Sequence, residues 1–513
     1  MKYSYGTLAF AALIVFSFSS ARQALAQGYD TPLGSQGLSR TTMHSAASRA
    51  AGGITIALKN DMSLMFSNPA LLSSLEGLQL SLGGLQQHTY AKQEQRYGGL
   101  QTHSAFNLLM EGTTGLISDA DTSKLLGGTK VRVIDQTDSV QRPFDTIGPN
   151  WNRTRSKGLP VQILLASPFS IGTVRVVVGL GAVEYANLNW YYQNNNCLSP
   201  SVLSVLNGTI STNGLNANPY LVQWYQYYQQ RDGSIYGYGG AFSAALSDKL
   251  SFGVSGMLLN GSTDDQEVRV GRGRLVFFTN SLRLDKQSMS SYTKTGTSDY
   301  SGAEFTLSGR YKGRAFDVGL SVQPPATITR SFSTLILADS VTAVSKWSGR
   351  VDSLHARSTT SVSGEDKMAL PWRATLGVAI ALNEKLTVGL EYELRPYASA
   401  TYTAANGNES TPWGSSSVWH VGAEFRPNSW LDVRGGVREY AEVFQPLTHA
   451  LRGEVVTYPI YSIGVGVKLA NARLDVTYEY SDMKYVDTWS NAVSINREIR
   501  QNIVANVFYD IPW

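Results

Sequence analysis

The sequence has very little cysteine and little charge. Cys197 is the one cysteine among 513 residues, so no disulfide within the chain can support the fold. Charged residues make up 16% of the chain and the formal net charge is +4, which is too small to indicate a nucleic-acid partner. We therefore expect a fold that depends on hydrogen-bonded secondary structure, with no nucleic acid as partner.

Long apolar runs are also scarce. The run "LAFAALIVFSFSS" follows Lys2 and leads to the small residues Ala24 and Ala26, which is the pattern of a signal peptide over residues 1–26. No second run of about 20 apolar residues follows, and this excludes a helical membrane protein. We expect an exported chain that begins at Gln27.

Glycine and aromatic residues are abundant, with 48 Gly, 27 Tyr and 10 Trp, and the remaining sequence alternates. In "RLDVTYEYSD" Leu474, Val476 and Tyr478 oppose Arg473 and Asp475. A period of two predicts strands with one apolar and one polar face. Fourteen such segments are centred near residues 82, 163, 182, 240, 255, 306, 320, 376, 392, 421, 436, 463, 478 and 506.

The links between these segments are alternately short and long. Short turns read "LSDKL", "YKGRAF", "LNEKL", "RPNSWL" and "LANARL". Long links are predicted near 89–158, 193–233, 263–299, 332–369, 404–415, 443–455 and 487–497. This asymmetry predicts an all-β fold, a transmembrane antiparallel β-barrel of about 14 strands in a Gram-negative-type outer membrane, formed by residues 77–513 with long extracellular loops.

A soluble β-sandwich would alternate as well, and the last segment favours the barrel. "NIVANVFYDIPW" keeps its apolar residues on one face and ends on Trp513, which resembles the signal that barrel-insertion machinery recognises. We therefore expect that machinery and outer-membrane lipid as partners. Aromatics near strand ends fit interfacial girdles, namely Trp372, Tyr397, Trp419, Trp430, Tyr458 and Tyr485.

Residues 27–76 precede the first clear strand and are rich in Ala, Ser and Gly. A barrel of about 14 strands encloses a lumen that wall side chains alone do not fill, and small residues let a backbone pack inside it. The segment is therefore predicted to be an N-terminal plug, and the alternative is a flexible periplasmic tail.

"SAASRAAGGITIALKNDMSLMFSNPALL", residues 45–72, resembles the hatch of the FadL-type long-chain fatty-acid transporters. "LPWRATLGVAIAL" and "YPIYSIGVGVKL" resemble late barrel strands of the same family. The resemblance implies a 14-stranded barrel, an N-terminal hatch and diffusion of hydrophobic molecules through the barrel. It carries the predicted plug motif onto Arg49, Gly52, Gly53, Asn68, Pro69 and Ala70.

The predicted function is passive uptake of hydrophobic small molecules, fatty acids or aromatic hydrocarbons. Two long links hold the residues predicted to capture such a ligand: Phe106, Leu108, Leu109, Met110, Leu198, Val202, Val205 and Leu206. The last four are spaced as a helical apolar stripe, for which packing on the barrel rim is the alternative. Two other functions stay open: a general porin, and a plugged barrel that serves as a binding scaffold in protein secretion or surface assembly.

Charged residues alternate along several predicted lumen faces, for example Asp432 with Arg434 and Arg473 with Asp475. They could bind a head group, or they could be paired wall residues that hold the plug. The six histidines lack metal-ligand spacing, and no nucleophile or phosphate-loop motif occurs. We expect no enzyme, no catalytic residue, no metal and no cofactor.

Overall fold

The computed structural model describes residues 45–511, except for 59, 98–131, 134–149, 201–219, 278–280, 286–288, 346–350, 445–446, 449–450, 453–454 and 490–491. The predicted signal peptide, residues 27–44 and Trp513 lie outside the described residues. None of the helices within the described ranges is long and apolar enough to cross a membrane.

Strands dominate the described chain, and helix is confined to α1 (Ala46–Ala50) and to 3-10 turns at Met62–Leu64, Pro69–Ser74 and Tyr397–Ser399. The strands are β1 (Leu78–Tyr97), β2 (Arg132–Val133), β3 (Trp151–Ile171), β4 (Val174–Asn187), β5 (Trp190–Pro200), β6 (Tyr220–Ala245), β7 (Leu250–Phe277), β8 (Ser281–Asp285), β9 (Met289–Lys312), β10 (Phe316–Gln323), β11 (Ala326–Ser345), β12 (Val351–Leu370), β13 (Arg373–Ala381), β14 (Leu386–Arg395), β15 (Thr401–Thr403), β16 (Glu409–Ser410), β17 (Ser416–Phe425), β18 (Leu431–Ala441), β19 (Leu447–Thr448), β20 (Leu451–Arg452), β21 (Thr457–Leu469), β22 (Ala472–Trp489) and β23 (Ala492–Ile511).

Fourteen antiparallel strands close into a barrel, as the sequence predicts. Around the wall they follow the order β1, β3, β4, β6, β7, β9, β10, β13, β14, β17, β18, β21, β22 and β23. The first and last strands pair from Leu78 opposite Ile511 to Tyr97 opposite Ala492, which leaves no open edge at the closure.

The two faces of the wall have the polarity expected for lipid outside and a polar lumen inside. On β22 Leu474 and Tyr478 are each 41% exposed, whereas Arg473, Asp475 and Glu479 are buried. Large apolar side chains are exposed on the outer face of many other strands. A water-soluble sheet would bury these side chains, so the architecture is that of an outer-membrane β-barrel.

The predicted aromatic girdle is correct in part. Trp372, Trp419 and Trp430 are between 45% and 52% exposed, as residues at a membrane interface should be. The assignment is wrong for Tyr397 and Tyr458, which are buried inside the protein, and for Tyr485, which packs inward against Phe444 and the buried Met483.

Several long links of the sequence analysis are instead paired strands. The predicted loop 263–299 consists largely of β7 and β9, which pair as far as Arg269 opposite Tyr292. The predicted loop 332–369 is the β11–β12 hairpin, and 193–233 contains β5 and much of β6. The outer faces of these parts are mainly polar and carry only scattered exposed apolar residues, such as Leu335, Leu337 and Val362. The regular apolar alternation that marks a membrane strand is therefore lost.

Candidate functional site: a chamber above a buried N-terminal segment

Residues 45–76, called the N-terminal segment below, lie inside the barrel against inward-facing side chains. Most of its residues are buried, and Met62, Met65, Phe66 and Leu72 pack in one cluster with inward residues of the wall. Its small residues let the backbone approach the wall closely, which agrees with the composition argument.

The helix α1 is tied to the last strands of the barrel. Ser45 caps it, because its side chain accepts a hydrogen bond from the Ser48 amide at 3.0 Å. The Ala46 amide donates to Asn506 Oδ1 at 2.6 Å, and the Ala46 carbonyl accepts from Thr477 Oγ1 at 2.6 Å. Of the amide groups that a helix start leaves unpaired, the wall thus satisfies that of Ala46, and the Ser45 side chain satisfies that of Ser48.

Arg49, the basic residue of the predicted plug motif, enters an ion network. Its Nη1 lies 3.0 Å from Glu479 Oε2, and Arg438 Nη2 lies 2.7 Å from the other oxygen of the same carboxylate. Asn502 Nδ2 also donates to Glu479 Oε2, at 3.2 Å. One buried carboxylate of β22 therefore joins the segment to β18 and β23.

Gly52 and Gly53 form the turn after α1, and both have a positive φ, 69° and 93°. A Cβ on Gly52 would lie 2.4 Å from the carbonyl oxygen of Val421. On the wall, a Cβ on Gly436 would lie 2.3 Å from the Gly52 amide nitrogen. The turn requires glycine both for its backbone conformation and for the close contact between segment and wall.

The middle of the segment is held by a single acidic side chain. Glu391 Oε1 accepts hydrogen bonds from the Thr55 amide at 2.6 Å, the Ile56 amide at 2.7 Å and Thr55 Oγ1 at 3.0 Å. This carboxylate is buried, and it satisfies backbone donors that no helix or strand partner reaches.

The Asn-Pro-Ala motif forms the next anchor. Asn68 precedes a 3-10 turn in which Pro69 takes the first position, where its missing N–H costs nothing. The Ala70 amide donates to Ser308 Oγ at 2.7 Å, and the Ala70 carbonyl accepts from Ser251 Oγ at 3.1 Å. Ala70 is fully buried, so a larger side chain has no space at this point.

Most lumen charges noted in the sequence are paired wall residues. Arg434 contacts Asp475 at 2.7 Å, Glu424 at 2.7 Å and Asp432 at 3.1 Å. Arg473 contacts Asp475 at 3.0 Å and donates to the Asn60 carbonyl at 2.8 Å. Of the two interpretations of these charges, the paired wall describes this group.

Above the segment, toward the end opposite the short turns, lies a chamber of about 240 Å³. Its lining is aromatic and basic, with a few aliphatic and acidic residues. The side chains that line it include Thr89, Ala91, Gln93, Trp151, Arg153, Arg155, Lys157, Leu188, Trp190, Tyr191, Tyr192, Arg231, Glu442, Phe444, Met483, Tyr485, Asn496, Glu498 and Arg500.

The strand register defines the lower limit of the chamber. Lys157, Gln87, Asn502 and Glu479 stand side by side on β3, β1, β23 and β22. Because Glu479 holds Arg49, this rung is also the place where the N-terminal segment begins. The segment therefore starts close to the lower end of the chamber, although none of its described residues is among those that line the chamber.

The upper limit lies six residues further along the same strands, about 20 Å at 3.3 Å per residue. Trp151 Nε1 donates to Gln93 Oε1 at 2.7 Å, and Gln93 Nε2 donates to Asn496 Oδ1 at 2.7 Å. Between the two rungs, the side chains of β1 that face inward are those of Thr89 and Ala91. Because both are short, they leave the space open.

One side of the chamber is a seam in the barrel wall. The β3–β4 ladder ends at Gln162 opposite Val183, and beyond it β5 pairs with β6. Within the described residues, side chains and not a backbone ladder join β3 to β5. Lys157 Nζ donates to Asn189 Oδ1 at 2.6 Å, and Trp151 Nε1 donates to the Gln193 carbonyl at 2.9 Å.

Only one of the residues predicted to capture a ligand, Leu198, lies within the described part of the chain. Leu198 lies in strand β5, so the predicted helical stripe cannot begin there. Phe106, Leu108, Leu109, Met110, Val202, Val205 and Leu206 lie outside the described residues. Two stretches of the sequence point to the chamber and are absent from the predicted capture residues. In "WNRTRSK", residues 151–157, every second residue is aromatic or basic, and "WYY", residues 190–192, is an aromatic run.

These features define the class: a closed outer-membrane barrel whose N-terminal segment lies in the lumen beneath a chamber. Neither the scan of protein-family models nor the search of curated proteins matches this chain.

The fold is similar to that of solved structures. The chain superposes on the crystal structure of a Pseudomonas aeruginosa FadL homologue with a TM-score of 0.54 at 13% identity, covering 92% of this chain and 98% of that chain. For the P. putida toluene transporter TodX the TM-score is 0.51 at 13% identity, over 91% and 99% of the two chains. The chain thus has the FadL-type fold that the sequence resemblance predicts, and these structural neighbours are transporters rather than enzymes.

Proposed function

We propose that this chain is an outer-membrane channel through which hydrophobic small molecules diffuse inward. The observation that carries the proposal is the chamber with aromatic side chains in its lining, whose lower rung includes the Glu479 that pairs with Arg49 of the N-terminal segment. The structural neighbours, a FadL homologue and a toluene transporter, support the same function. Fatty acids and aromatic hydrocarbons are the candidate cargoes.

The chamber accounts for why a hydrophobic molecule would leave the water outside. Each CH₂ group that passes from water into an apolar site gains about 0.8 kcal/mol. A wide water-filled pore offers no such gain, which disfavours the general porin as an alternative. The side-chain seam between β3 and β5 is the part of the wall that can separate without loss of a strand ladder, and we propose it as the lateral access to the chamber.

We further propose that residues 27–76 act as the hatch below the chamber. Its described part is held by separate contacts, such as those of Glu479, Glu391 and Ser308, rather than by a continuous ladder. Such contacts can break one at a time, so a local shift of the segment can open a path without unfolding the barrel.

Uptake measurements on whole cells test this function. Cells that produce the protein should take up radiolabelled toluene or radiolabelled oleate faster than cells that lack it. Ala91→Trp places a large side chain in the chamber and should reduce uptake to the level of cells without the protein. The matched control is Gln86→Trp on the same strand, whose side chain is exposed on the outer face.

Two results would contradict the proposal. One is normal uptake by the Ala91→Trp variant, because the chamber would then not lie on the path. The other is equal passage of a hydrophilic sugar of similar size, which is the behaviour of a general porin.

A further inference from the structure

The chamber carries more positive charge than an apolar cargo needs. Seven basic residues line it, and two of them, Lys92 and Arg497, form ion pairs with Glu94 and Asp482. The other five are Arg153, Arg155, Lys157, Arg231 and Arg500. The acidic side chains in the lining are Glu442 and Glu498, and both form ion pairs with Arg500 on the β23 side. The β3 side is therefore left with a row of three cations at every second residue.

Two cations of this row have neutral partners. Arg153 lies over the Tyr191 ring at 3.8 Å and its Nη2 is 3.5 Å from Gln230 Oε1. Lys157 donates to the amide oxygen of Asn189. Within the described residues Arg153 forms no ion pair with a carboxylate, and Lys157 is attracted only at longer range by the buried carboxylate of Glu184. Arg155 between them pairs with Asp232. Half-buried cations without an anionic partner favour an anion in the space they face.

The apolar part of the chamber consists mainly of flat rings. Trp190 and Tyr192 stack with centroids 6.1 Å apart and ring planes 12° apart. Trp151 meets Tyr191 edge to face at 5.7 Å. Aromatic faces of this kind contact a planar ring over more area than a flexible alkyl chain, and ring pairs add about 0.5–1.5 kcal/mol beyond their buried area.

We propose that the chamber binds planar aromatic molecules that carry an acidic group. The acid group lies against Arg153 and Lys157, and the ring lies beside Trp151 and Tyr191, on the side of β5 that faces Arg153. The proposal rests on the proposed function and narrows its cargo class. A neutral hydrocarbon would leave Arg153 without an anion, and a fatty acid would leave the ring faces poorly filled.

Binding to the purified full chain in detergent tests the inference, with tryptophan fluorescence as the readout. The probes are 2-naphthoate, its neutral analogue 2-naphthylmethanol and the alkyl acid decanoate. A charge-assisted hydrogen bond predicts that 2-naphthoate binds at least about tenfold more tightly than 2-naphthylmethanol. We expect decanoate to bind more weakly than 2-naphthoate as well.

Substitutions test whether Arg153 and Lys157 bind the acid group of the ligand. Arg153→Gln and Lys157→Gln should each weaken 2-naphthoate binding about tenfold and leave 2-naphthylmethanol binding unchanged. Lys484→Gln is the control, because Lys484 is 63% exposed on the outer face and pairs with Asp482 there. It should bind both probes as the unchanged protein does.

Each other outcome overturns the inference. Equal binding of 2-naphthoate and 2-naphthylmethanol shows that the charge is not used, and equal binding of decanoate shows that the rings are not used. In both cases the uptake of hydrophobic molecules can still stand. If none of the three probes binds, the proposed function fails together with this inference. The comparison of the three probes uses the unchanged protein, so it tests the inference even if a variant does not fold.

Discussion

Gly52 is the residue at which backbone conformation and packing coincide most closely. An alanine there would have to adopt a φ of 69° and would place its Cβ 2.4 Å from a wall carbonyl oxygen. We predict that Gly52→Ala lowers the free energy of unfolding by more than the about 1–2 kcal/mol that the left-handed conformation alone costs. Urea titration of the purified protein measures this difference.

Gly172 provides the matched control for that prediction. It also has a positive φ, 63°, but a Cβ on it would have no heavy atom within 4 Å. Gly172→Ala should therefore show the conformational cost without the steric one. Equal losses in the two variants would mean that the close contact between the N-terminal segment and the wall contributes nothing.

Arg434 is the cation on which three buried carboxylates depend. Removing it leaves Glu424, Asp432 and Asp475 with only their second partners, which are Arg426, Lys468 and Arg473. The loss of hydrogen bonds to buried charged groups that keep other partners costs about 1–3 kcal/mol. We predict a loss of this size for Arg434→Met, measured in the same urea titration.

The control for that loss is an exposed pair. Arg357 is 83% exposed and pairs with Asp339 at 3.1 Å, so Arg357→Met should cost no more than about 1 kcal/mol. A small effect at both positions would show that the lumen network is solvated and does not stabilise the wall.

The sequence predicts that the lumen charges are paired, but it does not predict the partner of each charge. That lumen charges are paired follows from the cost of burying them alone, and the structure confirms it for Arg434 and Arg473. Which groups pair could not be predicted, because Arg434 and Asp475 belong to different strands and meet only through the register of the sheet. Likewise, nothing in the sequence shows that Glu391 accepts the amides of Thr55 and Ile56.

At the scale of elements, the β11–β12 hairpin separates into a base and a tip. The base contains Ile328 and Met368, both fully buried, and Arg330, which pairs with Asp366 at 2.5 Å. In the tip, residues 332–364, the described side chains are exposed or half-buried. The base therefore belongs to the packed interior and the tip does not.

Deleting the tip should leave the barrel intact. Ser331 and Glu365 face each other in the register, so a two-residue Asn-Gly turn can join them. We predict that this shortened chain unfolds at the same urea concentration as the full chain. Deletion of residues 326–370, which also removes the base, should lower that concentration. Destabilisation by the tip deletion alone would contradict the division.

This hairpin also shows where sequence patterns fail at the element scale. Turns and membrane strands were predicted because apolar residues recur at every second position between short polar links. Outside the lipid both faces of a strand can be polar, and the strands of the hairpin then resemble loops. The outer parts of β6, β7 and β9 were predicted as loops for the same reason, since the two faces of these strands differ little in polarity there.

At the scale of the whole molecule, closure of the sheet creates the chamber. β1 and β23 are adjacent only because the two ends of the chain pair, and β3 and β22 lie on either side of them. The sequence predicts closure, since a strand edge has no partner in hydrocarbon. It does not predict which side chains then face one another, so Arg153, Trp190 and Arg231 are not singled out by the sequence as lining residues.

The steady ion current through single molecules in a planar lipid bilayer tests most directly whether the N-terminal segment closes the barrel. The full chain should pass almost no steady current, because this segment occupies the lumen. A chain that lacks residues 45–76 should pass a steady current through the open barrel. An equally large steady current through both chains would show that the segment does not close the lumen, and would contradict a plugged channel.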